Sequence, residues 1–434
     1  MLLHGNVISA IEMNNHPKFA ILNFKDVSHP QEEHLSYLPL AHIFETININ
    51  TAMYAGCAVG FYQGDPLKIL EDLTALRPTF FVSVPRLYNR IYDKINTDVA
   101  AASTVKRLMF SRALKVKLAA LHESGIVDNS FWDRLLFSKL QAGLGLDRCH
   151  TMITGSDPIS SEVKDFMRVA IGVRMLEGYG LTETVATLTA THPDDLSNAH
   201  VGMPSTGAQI KLVDVPEMNY VSSADPPCGE ICVRGSNVFL GYYKNPEKTA
   251  EDLEPNGWFH TCDVGSWTTE RCLRIIDRKK NTFKLAQGEY AAAEKIENVL
   301  GRCSLVAQIF VYGDSLQSYL LAVVVPEIEE MPAWAKANSV PFSGALESLT
   351  QEGAGQKLAA SILEQLKSAA AEARLAGFEL PKRVYLEPEL FSVDNGLLTP
   401  TLKMKRVELK KRYKSTLDSM YSLGLHSAVP TSKL

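Results

Sequence analysis

Thr79-Phe80-Phe81-Val82-Ser83-Val84 is a short run of β-branched and aromatic residues, and the residues over 100–122 that follow it read as a helix. Between Met1 and about Thr191 such strand-like runs alternate with longer helical stretches. Alternation of this kind predicts a largely parallel sheet with helices on both faces. From 200 to 267 the texture changes. Strand-like pieces at 208–213 and 230–234 are separated by Gly, Pro and Asn turns, which predicts a small antiparallel barrel. After Asp277 a third region begins, with a helix over 292–300, strands over 306–312 and 319–325, and a second helix over 356–376. In that helix Leu358, Ile362 and Leu366 form one apolar stripe, and Gly377 is the expected C-cap. The fold class expected is therefore α/β: a partial large N-terminal domain, made of a doubly wound lobe and a small β-barrel, followed by a small α+β domain. The expected boundaries are 1–277 (with the barrel at 200–270), 281–425, and a flexible tail at 426–434.

The totals fit that division. A chain of 434 residues exceeds one ordinary core, and 46% apolar with 21% charged residues is a globular balance. A net charge of −5 gives no global reason to expect nucleic acid or an anionic membrane as partner. No apolar run reaches the ~18 residues of a membrane span. The longest candidate, 51–62, reads as a buried helix, so no transmembrane segment is expected, although peripheral membrane contact stays open. The seven cysteines are scattered without zinc-ligand spacing, which points to free thiols in a reduced compartment. The N-terminal residues lack the basic and apolar regions of a signal peptide. The last three residues, Ser432-Lys433-Leu434, spell a peroxisomal import signal behind a linker-like stretch.

Four clusters carry candidate chemistry. In Glu177-Gly178-Tyr179-Gly180-Leu181-Thr182-Glu183-Thr184, two glycines let the backbone approach a flat ligand on which the tyrosine stacks. A hydroxyl and a carboxylate then suit a phosphate oxygen and a Mg²⁺ ion. Read alone, the same residues make an ordinary strand–turn–helix cap. Asp263, in Gly257-Trp258-Phe259-His260-Thr261-Cys262-Asp263, suits the two hydroxyls of a ribose, or a side-chain turn of its own. Arg278, in the Asp277-Arg278-Lys279-Lys280 run, has the donor fork for ribose or phosphate, or belongs to a solvated linker. Lys403 follows a Gly- and Pro-bounded loop, where it can neutralise charge in phosphoryl chemistry or serve as surface charge. The basic stretch after it, including Lys410, Lys411, Arg412 and Lys414, reads as a solvated helix face.

Together, in this order, the clusters resemble the adenylate-forming enzymes, and among them the long-chain-fatty-acid–CoA ligases. Three further stretches carry the resemblance: Tyr37-Leu38-Pro39-Leu40-Ala41-His42-Ile43-Phe44-Glu45, Thr154-Gly155-Ser156-Asp157-Pro158-Ile159-Ser160, and Phe283-Lys284-Leu285-Ala286-Gln287-Gly288-Glu289-Tyr290. The resemblance covers roughly residues 1–420. It implies that Gly155, Ser156, Pro158, Gly178 and Tyr179 line an adenine pocket, and that Asp263 and Arg278 hold the ribose. Thr182 would contact the α-phosphate and Glu183 would bind Mg²⁺. Lys280 would be the hinge of a mobile C-terminal lid. Lys403 would serve adenylation, Lys284 would face the site during thioester formation, and His42 would lie on the acyl-binding wall. The implied substrates are a long-chain fatty acid, ATP and coenzyme A. With the import signal, the implied compartment is the peroxisome and the implied partner its import receptor.

Three departures from the family pattern stand out. Cys262 replaces the usual Gly and Ala293 the usual Pro. The Gly/Ser/Thr-rich phosphate loop would precede Met1, so this chain is expected to be N-terminally incomplete and weak or inactive as written. Two competing readings are an adenylate-former for another carboxylic acid and a non-catalytic nucleotide- or acyl-CoA-binding remnant.

Overall fold

The computed structural model describes residues 1–16, 31–198, 200–218, 220–278, 282–287, 289–350, 353–400 and 402–423. They form two compact units, Met1–Ile276 and Asp277–Leu434.

The first unit opens with α1 (His4–Asn15), β1 (Glu33–Ser36), α2 (Ile43–Tyr54), β2 (Ala58–Phe61), α3 (Ile69–Leu76) and β3 (Phe80–Ser83). Next come α4 (Pro85–Ala101), α5 (Thr104–Ser124) and α6 (Ser130–Trp132), which runs through a π turn (Asp133–Phe137) into α7 (Ser138–Gly143). The series ends with β4 (Thr151–Thr154), α8 (Ser161–Ile171), β5 (Arg174–Tyr179), β6 (Thr189–Ala190) and β7 (Met203–Pro204). The sheet order is β2-β1-β3-β4-β5-β6-β7. Strands β1 to β5 pair in parallel, while β6 and β7 are antiparallel. The order 2-1-3-4-5 places a switch point between β1 and β3, and ligands of such sheets bind beyond the carboxyl ends of the strands.

Strand alternation sorts the side chains onto two faces. Phe81, Met152 and Met175 pack with α3, α4, α5 and α8 on one face. Phe80, Val82, Ile153 and Leu176 pack with Ala52 and Phe44 of α2 on the other. The helix expected over 100–122 is thus α5, starting at Thr104 after α4 ends. The buried helix expected over 51–62 is not formed. The helix stops at Tyr54, Gly56 turns the chain at φ 75°, and 58–61 becomes an edge strand bonded in parallel to β1. Glycine takes that left-handed conformation freely, and the apolar residues beyond it satisfy a strand as well as a helix.

A second sheet follows from β8 (Ala208–Val213), β9 (Cys228–Gly235), α9 (Pro246–Asp252), β10 (Phe259–Trp267) and β11 (Leu273–Arg278). Its order, β11-β10-β9-β8, is an open antiparallel meander among the described residues, where the sequence suggested a barrel. Four strands are too few to close with a filled interior. One face is covered by Ile231, Val233, Phe259 and Leu273.

The second unit contains the hairpin β12 (Thr282–Lys284) and β13 (Tyr290–Ala292), then α10 (Ala293–Leu300), β14 (Val306–Tyr312), β15 (Leu321–Pro326), α11 (Met331–Ala337), α12 (Ala354–Glu372), β16 (Arg383–Leu386) and α13 (Arg406–Ser422). Strands β14, β15 and β16 form one sheet around which the helices pack. Leu358, Ile362 and Leu366 of α12 are fully buried, as their spacing requires. Gly377 is not its cap: the helix ends at Glu372, and Arg374, at φ 55°, makes the left-handed turn. On α13, Lys410, Lys411, Arg412 and Lys414 are exposed.

Candidate functional site

The carboxyl ends of β1, β4 and β5 emit the quoted motifs on one edge of the sheet. Strands β4 and β5 are in register, Thr154 beside Glu177, so Gly155 and Gly178 leave the sheet side by side. A β-carbon on Gly155 would lie 3.4 Å from the Gly178 carbonyl oxygen and 3.3 Å from the Phe44 ring. Glycine there keeps a slot open between two strands and an aromatic wall. Ser156 follows at φ 76°, and Ser160 caps α8 by accepting from the Val163 amide at 3.2 Å. Pro158 lies on this connection between strand and helix.

After Tyr179 the chain doubles back tightly. A β-carbon on Gly180 would sit 2.3 Å from the Ala186 carbonyl, so only glycine fits. Thr182–Thr184 form one 3-10 turn, with Thr182 exposed and Glu183 half-buried. The turn is pinned by the segment that follows β9. The buried Asn237 amide donates to the Thr184 carbonyl at 2.9 Å and to the Thr187 carbonyl at 2.5 Å, and the Phe239 amide donates to the Glu183 carbonyl at 2.8 Å. Asn6 of α1 holds the pinning segment in turn, donating to the Ser236 and Val238 carbonyls at 2.8 and 2.9 Å. Removing Asn237 leaves two interior carbonyls without that donor, a cost of about 1–3 kcal/mol. Asn237→Ala is therefore expected to lower the melting temperature. Unchanged melting would refute the pin.

Tyr179 and Asp263, 84 positions apart, meet. The Tyr179 hydroxyl donates to Asp263 Oδ2 at 2.7 Å, and Asp263 is only 2% exposed. Asp263 lies where the β9–β10 register slips between His260 and Val264. Within that bulge Cys262 stands at φ 59°, a conformation natural to the glycine that the resemblance leads one to expect.

Glu183 joins a second carboxylate. The Tyr242 hydroxyl lies 3.0 Å from Glu183 Oε1 and 3.2 Å from Asp252 Oδ2, and Lys248 holds Asp252 at 2.7 Å. Burial and the two carboxylates hold the Tyr242 phenol protonated, its pKa pushed well up. One proton serves two acceptors, so Tyr242 fixes the spacing of Glu183 and Asp252. Behind the edge, buried Lys164 donates to Glu177 at 2.8 Å, yet burial still raises the Glu177 pKa. Arg168, its pKa lowered by burial, ties α8 to the Leu196 carbonyl and Asn198.

His42 is used as a cap: its Nδ1 accepts from the Phe44 amide at 3.2 Å at the start of α2. Phe44 is the side chain on this turn that reaches the glycine slot. In the second unit, Lys403 sits in a closed loop. The Thr399 amide donates to the Lys403 carbonyl at 2.8 Å, the Lys403 amide to Thr399 Oγ1 at 3.0 Å, and the Lys405 amide to the Leu397 carbonyl at 2.8 Å. Leu397 and Leu398 anchor it in the core. Arg278 ends β11 and Lys284 ends β12, paired with Tyr290. Lys280 and Ser432-Lys433-Leu434 lie outside the described residues.

Only Asp195, His200 and Cys272 gather three potential metal ligands among the described residues, within 4.8 Å of one another. The Gly202 amide donates to His200 Nδ1 at 3.0 Å, so the neutral ring carries its proton on Nε2. That nitrogen faces Ser197 at 2.6 Å and Asp195 at 3.2 Å, an arrangement of hydrogen bonds rather than of metal ligands.

The sequence profile of the AMP-binding enzyme family matches residues 1–243, more than half of the chain. The chain belongs to the AMP-binding enzymes. Among curated relatives, the Arabidopsis thaliana protein named long chain acyl-CoA synthetase 7, peroxisomal, is 44% identical over 423 residues, covering 97% of this chain and 58% of that protein. Human long-chain-fatty-acid–CoA ligase 1 is 47% identical over 393 residues, covering 91% of this chain and 55% of its own length. The chain thus spans less than two thirds of the length of the curated relatives it matches. In fold, it is similar to the adenylation domain of a Mycobacterium chelonae carboxylate reductase (TM-score 0.71, 29% identity, 90% of this chain and 54% of that one). The adenylation domain of the Segniliparus rugosus carboxylic acid reductase, solved with AMP and a co-purified carboxylic acid, is equally similar (TM-score 0.71, 27% identity, 96% and 58% coverage).

Three residues that shape the edge were not found by sequence reasoning: Asn237, Tyr242 and Asp252. Each is bound to a motif residue through space, with no local pattern marking it.

Proposed function

We propose that the protein is a long-chain fatty acid–CoA ligase. The observation that carries the reading is the bond between Tyr179 and Asp263 beside the Gly155–Gly178 slot. A planar base and a ribose require such a stacking ring and acceptor at the same mouth. Relatives 44–47% identical and named as long-chain acyl-CoA synthetases or ligases support the substrate class.

A carboxylate is a poor electrophile, so its oxygen first attacks the α-phosphorus of ATP and the bond to pyrophosphate breaks. The coenzyme A sulfur then attacks the acyl carbon, the carbon–oxygen bond breaks, and AMP leaves with the electron pair. In this reading Gly155, Ser156, Pro158, Gly178 and Tyr179 line the adenine, and Asp263 accepts from the ribose hydroxyls while Arg278 donates to the ribose. Thr182, exposed at the start of its turn, donates to the α-phosphate. Glu183, an oxygen donor spaced from Asp252 by Tyr242, suits a hard cation such as Mg²⁺, which would neutralise phosphate charge when bound. Lys403 serves the adenylating half-reaction and Lys284 the thioester-forming one, with the chain about Lys280 as hinge. His42, which caps α2, lies on the acyl-binding wall. The test is fatty-acid-dependent pyrophosphate–ATP exchange by the purified protein. Palmitate should support exchange well above acetate or benzoate; preference for either small acid would overturn the substrate class.

The proposed compartment is the peroxisome, through Ser432-Lys433-Leu434 at a free C-terminus. Arabidopsis relatives named as peroxisomal support it. Deleting the three residues should leave a tagged chain in the cytosol with its catalysis unchanged, as fluorescence imaging would read. Punctate localisation after the deletion would contradict this route.

A further inference from the structure

The face of the second sheet opposite Ile231, Val233 and Phe259 carries a cysteine–histidine–glutamate chain that the nucleotide chemistry does not use. Cys232 of β9 is the register partner of His260 of β10. Its Sγ lies 3.3 Å from His260 Nδ1, and His260 Nε2 lies 2.9 Å from Glu254 Oε1. Glu230 Oε2 stands 3.5 Å from the same Nδ1. With the ring proton donated to Glu254, Nδ1 is an acceptor aimed at the thiol. The two carboxylates then face the charge that the ring gains when it takes the thiol proton. Cys232 is fully buried, and burial, with Glu230 beside it, pushes its pKa up to about 12. It is a thiol held against its base and closed to solvent.

A second thiol sits two residues beyond His260. Cys262 is half-buried, and it is near enough for its thiolate to raise the Cys232 pKa. It occupies the β9–β10 bulge, where Thr261, Cys262 and Asp263 span the slip in register opposite Ile231. The bulge is stapled to β9 around the cysteine. Thr261 Oγ1 donates to the Ile231 carbonyl at 2.8 Å, and the Cys262 amide donates to Glu230 Oε1 at 3.2 Å. The Asp263 amide donates to Thr261 Oγ1 at 3.1 Å, so the carboxylate at the nucleotide mouth hangs on the same staple. The two thiols divide the labour of a peroxide-driven disulfide. One is accessible and meets the oxidant; the other is shielded, carries a base and resolves the product.

We propose that Cys262 and Cys232 form a disulfide when the protein meets hydrogen peroxide. The Cys262 sulfur attacks a peroxide oxygen, the O–O bond breaks, and Cys262 becomes a sulfenic acid as one water is released. The Cys232 sulfur then attacks the Cys262 sulfur while His260 Nδ1 takes the Cys232 proton. The S–O bond breaks, and the departing hydroxide leaves as a second water with that proton. Two thiols together lose two electrons, and one peroxide gains them. The bond draws residue 262 onto β9 and displaces its neighbour Asp263. The disulfide itself is independent of the function proposed above; its effect on AMP rests on that reading.

The test treats the reduced full chain with hydrogen peroxide and maps its disulfides by mass spectrometry of unreduced peptides. A Cys232–Cys262 cross-link should dominate, and dithiothreitol should remove it. In C232S the Cys262 sulfenic acid should persist and take up dimedone, roughly tenfold more than in the parent. H260N should slow cross-linking roughly a hundredfold, the loss expected of a general base. The AMP affinity of cross-linked protein, read by calorimetry, should fall roughly tenfold or more and return with dithiothreitol. In C262G, which removes the thiol and suits the left-handed backbone, peroxide should leave that affinity unchanged. No cross-link in the parent, pairing of Cys262 with Cys228 instead, or equal dimedone uptake by parent and C232S would overturn the proposal. So would cross-linking of H260N at the parent's rate, or an unaltered AMP affinity in protein mapped as cross-linked. Reduced parent that binds no AMP would count against the nucleotide reading alone, since the peptide map decides the disulfide without it.

Discussion

Asp263→Ala should weaken AMP binding by about a hundredfold, measured by calorimetric titration of the chain. A buried carboxylate accepting from ribose hydroxyls makes charge-assisted hydrogen bonds worth about 1.5–3 kcal/mol each, and ~2.7 kcal/mol is a factor of a hundred. The Tyr179 hydroxyl already donates to this carboxylate at 2.7 Å, so a ribose must share or take over that acceptor. Tyr179→Phe separates the two contributions. It keeps the ring and removes only the competing donor, so its effect should stay within about tenfold. Comparable losses in both variants would mean that the hydroxyl–carboxylate bond shapes the mouth and that Asp263 makes no ribose contact. A melting curve for each variant guards against simple unfolding, because Asp263 lies deep in the β9–β10 bulge.

Lys403→Ala should lower fatty-acid-dependent pyrophosphate release about a hundredfold to a thousandfold. Transfer to coenzyme A from preformed acyl-adenylate should change less than about tenfold. Removing one preorganised group that stabilises developing charge costs about 2.7–4 kcal/mol. The loop itself should survive the substitution, since it is closed through the backbone of Thr399, Lys403 and Lys405 and anchored by Leu397 and Leu398. The lysine side chain takes no part in those closing bonds. Equal losses in the two assays would remove Lys403 from the adenylating step alone.

The parallel lobe was legible because its strands announce themselves locally. Thr79 to Val84 can satisfy its pattern only as a strand among helices, and β3 forms there. The stripe of α12 was legible for the same reason. Where the reading failed, an apolar run was ambiguous between periods: residues 51–62 have no sequence feature beyond Gly56 to mark where helix gives way to strand. Closure of the second sheet was equally unreadable, since strand count and order are tertiary facts.

The site divides along the same line. Gly155 and the run from Gly178 to Glu183 lie in short local motifs, so they could be singled out in the sequence and given proposed roles by resemblance. That Tyr179 meets Asp263 could not be read from either alone. Asn237 acts by donating to the carbonyls of Thr184 and Thr187, which leaves no trace in the identity of those residues. Tyr242 and Asp252 are ordinary residues until the fold brings them to Glu183. Phe44, whose ring walls the Gly155 slot, likewise carries no signal of its own in the sequence.

Binding of a stable acyl-adenylate mimic by the chain tests the central claim without requiring turnover. Calorimetry would compare palmitoyl-sulfamoyl-adenosine, its acetyl counterpart and AMP on the parent protein. Burying a long acyl chain contributes about 0.8 kcal/mol per methylene, so even a partly enclosed tail should make the palmitoyl compound at least a hundredfold tighter than the acetyl one. All three should weaken in Asp263→Ala. Equal affinity for the palmitoyl and acetyl compounds, or tight palmitoyl binding unaffected by Asp263→Ala, would contradict the account.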